Sequence, residues 1–354
     1  MIIDDYCNNC SFQQSASGEI TRILNIINRR NTGNPGYWKG NPHKDALPGY
    51  LEYFSVDSEE ELSMLLGDDL RWRHAESAYY HPLGTPIFDC YLGKEKMSHG
   101  QPGVFAECES LEEVDAFPWP DLKYLNFTEY RKIIQKTHDD GLAFFGGFWC
   151  PYFHIVADFF GMENYFIKMY EAPEIVESVT EHVLDFYCAA NDMLFSEMGG
   201  MIDMFFFGND FGTQLDLFIS PDKFKQFVLP GIKRLTEVAK KHNIKSMLHS
   251  CGSITKALPM IIEAGVEAVH PIQAKAAGME AERLAKEFGG DLVFMGGVDT
   301  QDLLPFGTPA QVSTEVTRLK SVFGSNFIVS PSHEALLANV SPENLIAMSN
   351  TAKE

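Results

Sequence analysis

The sequence is short of positive charge. Its 354 residues include 28 Lys and Arg against 49 Asp and Glu, which gives a formal net charge of −21 at pH 7. Nucleic acids and anionic membranes are bound through clustered Lys and Arg side chains, so this balance argues against both as partners. The same shortage disfavours a strongly polyanionic substrate unless the few basic residues gather at one place.

Long apolar runs and a secretory leader are also missing. No stretch approaches the ~18 apolar residues of a membrane span, and Met-Ile-Ile-Asp-Asp at the start does not resemble a signal peptide. The 7 cysteines are an odd number in a long chain. We therefore expect a reduced, cytoplasmic setting with free or metal-bound thiols. Cys7 and Cys10 have the CxxC spacing of redox and zinc sites, but no second pair matches them.

What the sequence does contain is a regular alternation of helices and apolar strands. Helices are predicted at 127–139, 173–198 and 309–323, and six apolar strands follow residue 140. Such alternation favours parallel pairing. We therefore predict an α/β fold, a (β/α)8 TIM barrel, whose two remaining strands are expected near 50–56 and 69–73.

The boundaries of the predicted elements carry recognisable signals. Ser220 and Ser341 each precede a proline, which predicts a helix start because Ser caps the first turn and Pro fits its first positions. The first of these helices is expected to run towards Lys241. Residues 1–60 are rich in turn residues and are predicted to form an extension packed on the barrel, which would occupy 61–354.

Chemically capable side chains follow directly after the apolar strands. In a (β/α)8 barrel the active site is built at the carboxyl ends of the strands, so these residues are expected to meet at one rim. The residues placed in this way are Asn209, Asp210, His249, Cys251, His270, Asp299 and His333.

His249 and Cys251 form the first candidate site. Two positions apart at a strand end, their side chains point to the same side of the backbone, and imidazole and thiolate are preferred zinc ligands. We predict a zinc site with His333 as the third ligand, for which Asp299, Glu334 and His270 are the reserves. The same pattern also fits a buried cysteine beside a hydrogen-bonded histidine.

Two pairs of polar residues are candidates for catalysis. Asn209 and Asp210 end an apolar strand, where a carboxylate can act as a base, a proton donor or a substrate clamp. The alternative is a helix cap or a loop acceptor. Asp68 and Asp69 would stabilise a developing cation, or else one caps a helix and Arg71 pairs with the other.

The remaining predicted contacts are with substrate. Phe and Tyr are plentiful, at 27 and 13 residues, and suit a flat or apolar ligand, although cores use them as well. The side chains predicted to bind substrate are Trp38, Phe148, Tyr152, His154, Gln214, His270 and Asp299.

Several motifs carry a resemblance to a known family. They include His249-Ser-Cys-Gly, Asn209-Asp-Phe-Gly-Thr-Gln, Gly296-Gly-Val-Asp-Thr-Gln and Ser330-Pro-Ser-His. With them the chain resembles the uroporphyrinogen decarboxylase superfamily from about residue 140 to its end. This resemblance implies a barrel enzyme and offers two kinds of activity.

The decarboxylase branch acts on a tetrapyrrole without a cofactor and grips its carboxylates with an N-terminal arginine-rich motif. The matching stretch here, residues 33–42, contains no arginine. On this branch the resemblance would make Asp68 or Asp69 the key acid. Because these arginines are missing, tetrapyrrole decarboxylation is the less favoured interpretation.

The other branch consists of corrinoid-dependent methyltransferases that hold zinc through His-x-Cys and a later ligand. In those acting on coenzyme M the later ligand is a cysteine, whereas His333 stands at the matching place here. The chain lacks the cobalamin-binding motif Asp-x-His-x-x-Gly, so a corrinoid would come on a partner protein. We therefore expect a zinc-dependent methyltransferase that acts on a thiol or on a methoxy or methylated compound, and that can form a homodimer. A barrel that binds a ligand without catalysis is the third reading.

Overall fold

The main sheet is a ring of eight parallel strands. The computed structural model describes residues 17–30, 33–98 and 100–354. In sheet order the strands are β1 (Gly36–Tyr37), β9 (Phe327–Pro331), β8 (Val293–Val298), β7 (Ala268–Ile272), β6 (Lys245–His249), β5 (Met204–Gly208), β4 (Ala143–Gly146) and β3 (Leu70–Trp72). Asp69 N donates to Tyr37 O at 3.0 Å between the two end strands. This bond brings the ring close to closure and confirms the predicted (β/α)8 barrel.

Helices surround the barrel and connect its strands. They are α1 (Ser17–Ile27), α2 (Leu47–Phe54), α3 (Glu59–Leu66), α4 (Leu111–Asp115), α5 (Thr128–Asp139), α6 (Tyr152–Phe160), α7 (Met162–Glu171), α8 (Pro173–Met198), α9 (Pro221–Phe227), α10 (Leu229–Lys241), α11 (Leu258–Glu263), α12 (Ala281–Phe288), α13 (Leu303–Phe306), α14 (Pro309–Phe323) and α15 (Pro342–Lys353). Short 3-10 turns occupy Glu76–Ala78 and Leu122–Tyr124. A separate pair of short parallel strands, β2 (Asn41–Pro42) and β10 (Ala335–Leu336), links an early segment of the chain to a late one.

The strand predictions are confirmed after residue 140 and mixed before it. The expected strand at 69–73 is β3, but the one at 50–56 is wrong because that segment forms α2. Pro48 fits the first turn of this helix, and Ser55 ends it in the left-handed conformation. The missing strand is β1, whose two residues are too few to show a periodic pattern.

The predicted helix starts are confirmed by their caps. The Ser220 side chain accepts from Lys223 N, and the Ser341 side chain accepts from Asn344 N. The helix expected from Ser220 to Lys241 is interrupted at Val228. Pro230 has no N–H and its ring clashes with the preceding turn, so the helix restarts as α10.

The barrel interior is filled by alternate residues of the strands. Leu70, Ala143 and Met204, which begin three neighbouring strands, belong to one buried cluster with Ile23 and Ile26 of α1. Helix α1 therefore covers the end of the barrel where the strands begin. A second, larger cluster lies between the strands and the surrounding helices.

The division into an extension at 1–60 and a barrel at 61–354 stays a prediction. The structure places β1, a strand of the main sheet, within the first of these ranges. Cys7 and Cys10 lie outside the described residues. In the part of the chain that the structure describes, no helix combines the length and the apolar character needed to cross a membrane.

Candidate active site

Five side chains with metal-binding atoms converge where β5, β6 and β9 end. His249 Nε2 lies 3.6 Å from Cys251 Sγ, 3.3 Å from Asp210 Oδ1 and 3.8 Å from Glu334 Oε2. Donor atoms of Asp210, His249 and Cys251 all lie within 4.8 Å of one another, as do those of Cys251, His333 and Glu334. The structure therefore brings together the predicted pair, Asp210, His333 and the reserve Glu334.

The turn after β6 directs Cys251 into this group. Gly252 has a φ of 85°, and a side chain there would collide with the backbone of Gly212. Asp210 Oδ1 accepts from Cys251 N at 2.8 Å, and Gln273 Oε1 accepts from Gly252 N at 2.5 Å. A glycine is thus required at 252, and side chains from two neighbouring loops hold the thiol in place.

Glu334 is held in position by the small sheet. Its carbonyl accepts from Asn41 N at 2.6 Å just before β10 pairs with β2. Its buried Oε2 has no hydrogen bond to any described residue, although it lies 3.4 Å from His333 Nδ1. His333 Nδ1 instead accepts from Ala335 N at 3.0 Å. A buried carboxylate oxygen that makes no hydrogen bond keeps bonding capacity for a ligand.

His270 lies behind His249 and fixes its ring. The two Nδ1 atoms are 2.9 Å apart, so one of them carries the shared hydrogen. When His249 donates this hydrogen, its Nε2 lone pair is free to face Cys251 and Glu334. His270 Nε2 is buried and finds no hydrogen-bond partner in the described ranges, and the His270 ring meets Phe206 and Trp38 edge to face.

The electrostatics of the group favour an ionised cluster. Burial alone would lower the pKa of His249, but Glu334, Asp210 and Cys251 raise it well above its usual value. Burial opposes ionisation of Asp210, yet its hydrogen bond with His249 and the charge on that ring hold its pKa well below the usual range. Burial and the neighbouring His249 keep the pKa of His270 far below that of a free histidine.

The structure does not bring Asp68 and Asp69 to this group. Both precede β3, at the opposite end of the barrel. Asp69 pairs with Arg22 and accepts from Tyr37 N at 2.7 Å, while Asp68 accepts from Lys39 N at 2.7 Å and lies 3.3 Å from Lys39 Nζ. Their own chain satisfies every one of these oxygens, so the catalytic role of Asp68 and Asp69 stays a prediction that their placement does not favour.

Asn209 and Asp299 are likewise engaged by the backbone. Asn209 Oδ1 accepts from Phe153 N and its Nδ2 donates to Cys150 O, so its amide links β5 to the loop after β4. Asp299 accepts from three successive backbone amides at residues 301–303. These contacts favour neither the predicted catalytic role of Asn209 nor the predicted contact of Asp299 with substrate, and both stay predictions.

The other predicted substrate contacts are scattered. Tyr152 is buried and donates to Val228 O at 2.6 Å, Phe148 packs in the outer core, and Gln214 is exposed. Trp38 lies below the group against His270. His154 is half-buried and its charge influences Asp210, so it alone of these five approaches the group from the side of α6.

An aromatic cavity beside Glu334 was not predicted. It has a volume of about 720 Å3, and its lining includes Trp72, Trp149, His74 and Glu76 as well as Glu334. Its signal was present in the sequence, because His74 and Glu76 stand two positions apart after β3, much as His249 and Cys251 stand two positions apart at the end of β6. Another cavity, of about 500 Å3, opens where β6 begins and is remote from these donors.

The fold and this group of donors define a barrel protein with a candidate metal site at its mouth. Comparison with known families identifies it further: a model described as uroporphyrinogen decarboxylase (URO-D) matches residues 95–354. The chain belongs to this family, as the resemblance predicted.

Two relatives are methyltransferases. Over 94 residues the chain is 33% identical to the methylated-thiol–coenzyme M methyltransferase of Methanosarcina mazei, a match that covers 27% of this chain and 23% of that protein. The match thus spans less than a quarter of that relative. A solved methyltransferase from Methanosarcina mazei superposes with a TM-score of 0.64 at 15% identity, over 95% of this chain and 98% of the other. This second likeness supports the fold.

Proposed function

We propose that this protein is a zinc-dependent methyltransferase. It would transfer a methyl group between a small substrate, either a thiol or a methoxy or methylated compound, and a corrinoid carried by a partner protein. The observation that carries the proposal is the convergence of His249 Nε2, Cys251 Sγ and the unbonded Glu334 Oε2 at the barrel mouth. The relative that is 33% identical over 94 residues is a methyltransferase, which supports the proposal.

The residues present fit a zinc ion. Nitrogen, sulfur and carboxylate oxygen are its usual ligands, and a catalytic zinc keeps three protein ligands and one open position. We assign His249, Cys251 and Glu334 as these ligands, because Glu334 supplies an oxygen without a hydrogen bond. His333, which the sequence favours, is the neighbouring alternative: its side chain hydrogen-bonds with Cys251, but its Nδ1 is already engaged as the acceptor of Ala335 N.

The chemistry that zinc supplies is to lower the pKa of a bound thiol or to polarise a methoxy oxygen. The chain's own residues prepare the site for it. Asp210 fixes the Cys251 backbone, and His270 holds the His249 ring. The aromatic cavity would bind the substrate next to Glu334 and keep water away from it.

Tetrapyrrole decarboxylation has less support. Asp68 and Asp69, its candidate acids, lie at the other end of the barrel. No lysine or arginine of the described chain lines the aromatic cavity, so a substrate with many carboxylates would lack counter-charges. A reduced, cytoplasmic setting remains part of our proposal and is supported by free thiols at Cys90, Cys108, Cys150, Cys188 and Cys251. A homodimer is likewise part of our proposal.

The test is metal content together with methyl transfer. Purified protein is expected to hold one zinc per chain, and Cys251→Ala is expected to lose both the zinc and methyl transfer to free cob(I)alamin. Comparing the zinc content of Glu334→Gln and His333→Gln then shows which residue is the third ligand. We expect the greater loss of zinc from Glu334→Gln. Full methyl transfer by a zinc-free Cys251→Ala protein would refute the proposal, whereas turnover by neither protein would favour a barrel that only binds ligand.

A further inference from the structure

The cavity beside Glu334 has walls suited to a flat ring. Within the described chain its lining contains six aromatic side chains and no lysine or arginine. Trp72 and Trp149 pack at 5.0 Å between ring centroids and form one wall. Aromatic walls of this kind favour a planar ligand that stacks or packs edge to face. The six rings are those of Trp72, Tyr79, Tyr80, Phe88, Trp149 and Tyr187.

His74 and Glu76 form a fixed hydrogen-bonding pair in this lining. Glu76 Oε2 lies 2.7 Å from His74 Nδ1, while Glu76 Oε1 accepts from Trp149 N at 2.6 Å. The backbone of one cavity wall thus holds the carboxylate, and the carboxylate holds the imidazole. The Nδ1 atom of His74 is engaged by Glu76, and 54% of the side chain is exposed, so the opposite nitrogen, Nε2, is accessible to a ligand.

The pair lies apart from the metal-binding group. His249 packs against Trp149 at 5.1 Å, Trp149 against Trp72 at 5.0 Å, and Trp72 against His74 at 6.2 Å. Two indole rings therefore separate His74 from His249, while Glu334 belongs to both the cavity and the metal-binding group. Glu334 and His74 both line the cavity, together with the two indole rings.

We propose that His74, held by Glu76, determines specificity by binding an anionic oxygen group on the far side of a flat aromatic methyl donor. This rests on the proposed function, since it assumes that the molecule in the cavity is the methyl donor. The methyl-bearing atom lies towards Glu334 and Cys251, the ring packs against Trp72 and Trp149, and His74 Nε2 donates to a carboxylate or phenolate oxygen. His74 makes no contact with the reacting atoms.

The charge on His74 agrees with this role. Its hydrogen bond with Glu76 raises its pKa above the usual histidine value, and burial and the adjacent Arg73 offset the effect only in part. Glu76 and Arg73 are the charged groups that act on the ring. The imidazolium is therefore well populated at about pH 6 and is lost as the pH rises, so the preference for an anion should fade in alkaline solution.

The experiment compares two probes of the same shape by titration calorimetry. At about pH 6 the full-length protein is expected to bind 4-methoxybenzoate roughly tenfold more tightly than 4-methoxybenzamide, because only the benzoate forms a charge-assisted bond. His74→Gln should remove this preference while leaving affinity for the amide nearly unchanged. Glu76→Gln still accepts from Trp149 N but no longer places a negative charge beside His74. The preference for the benzoate should therefore be lost at a lower pH than in wild type.

A matched control is the pair of His138 and Asp203, 3.0 Å apart and outside the cavity. His138→Gln should leave the preference intact. Cys251→Ala should lose methyl transfer yet keep the preference for the benzoate. Failure of the zinc chemistry and failure of the His74 contact therefore appear in different measurements. Equal binding of the two probes by wild type, binding of neither, or a preference that survives His74→Gln would overturn the proposal.

Discussion

The two ends of the barrel treat buried carboxylates differently. Where the strands begin, Asp68 and Asp69 lie almost fully buried, and each of their four oxygens has a partner in Arg22, Lys39 or a backbone amide. At the mouth, Glu334 keeps a buried oxygen without a hydrogen bond in the described chain, although ionisable side chains surround it.

This difference separates a structural role from a functional one. Buried charges are tolerated when paired and hydrogen-bonded, and removing one partner leaves the other exposed to the full cost of burial. A group that the fold leaves unsatisfied instead has bonding capacity for a ligand. Burial and carboxylate chemistry alone therefore do not distinguish the two ends of the barrel. The distinguishing feature is whether each buried carboxylate oxygen already has a hydrogen-bond partner within the described chain.

The largest expected effect lies at the beginning of the strands. Asp68→Ala leaves Lys39, of which only 1% of the side chain is exposed, without its carboxylate. We expect a loss of about 3–5 kcal/mol in the free energy of unfolding, measured by chemical denaturation. Asp45→Ala, which removes an acid whose side chain is 73% exposed, is the control and should change stability little. A loss of zinc with no loss of stability in Asp68→Ala would erase the contrast between the two ends.

Glu334→Gln is expected to have the opposite character. It removes a zinc ligand, so zinc affinity should fall at least about tenfold to a hundredfold, the range seen even for indirect partners. After chelation the variant should unfold only slightly below the wild-type temperature, since Glu334 Oε2 makes no hydrogen bond within the described chain and has only the longer ion-pair contacts with His249 and His333. Competition with a chromogenic chelator and thermal unfolding measure the two effects. The exposed Glu343 offers a control, and a marked drop in the stability of chelated Glu334→Gln would show that this carboxylate is structural.

A smaller effect is expected one step behind the ligands. His270→Phe keeps the ring but loses the Nδ1 that faces His249 Nδ1 at 2.9 Å. Without this acceptor the His249 ring is free to turn, and zinc affinity should fall by roughly tenfold. His270→Asn retains an acceptor at a similar position and should recover most of the affinity. Equal losses in both variants would indicate that packing against Trp38 and Phe206, rather than the hydrogen bond, is what matters.

The sequence predicted the parts of this contrast that depend on local patterns. A barrel strand places the residue after its end at the mouth, so spacing alone found His249, Cys251 and Asp210. The helix caps at Ser220 and Ser341 follow from equally local chemistry.

The rest depends on contacts between distant segments. Glu334 is positioned by β10 pairing with β2, and Asp68 is satisfied by Lys39, 29 residues earlier in the chain. Strand β1 has only two residues, too few for a periodic signal. Two adjacent aspartates look the same in a sequence whether or not lysine and arginine already neutralise them.

The smallest expected effect concerns a titratable pair near the beginning of the strands. Asp203 precedes β5, accepts from Phe144 N at 2.7 Å and raises the pKa of His138 through their hydrogen bond. Because the folded pKa is raised, the bond stabilises the protein fully below the unfolded value of about 6.5 and its contribution disappears as the pH rises through the folded pKa. His138→Gln should therefore cost about 0.5–1 kcal/mol at roughly pH 5.5 and almost nothing at roughly pH 9. Urea denaturation at both pH values measures this difference. A cost that did not change with pH would mean that His138 contributes by packing, and that the paired charges at this end of the barrel stabilise the fold less than the comparison with Glu334 implies.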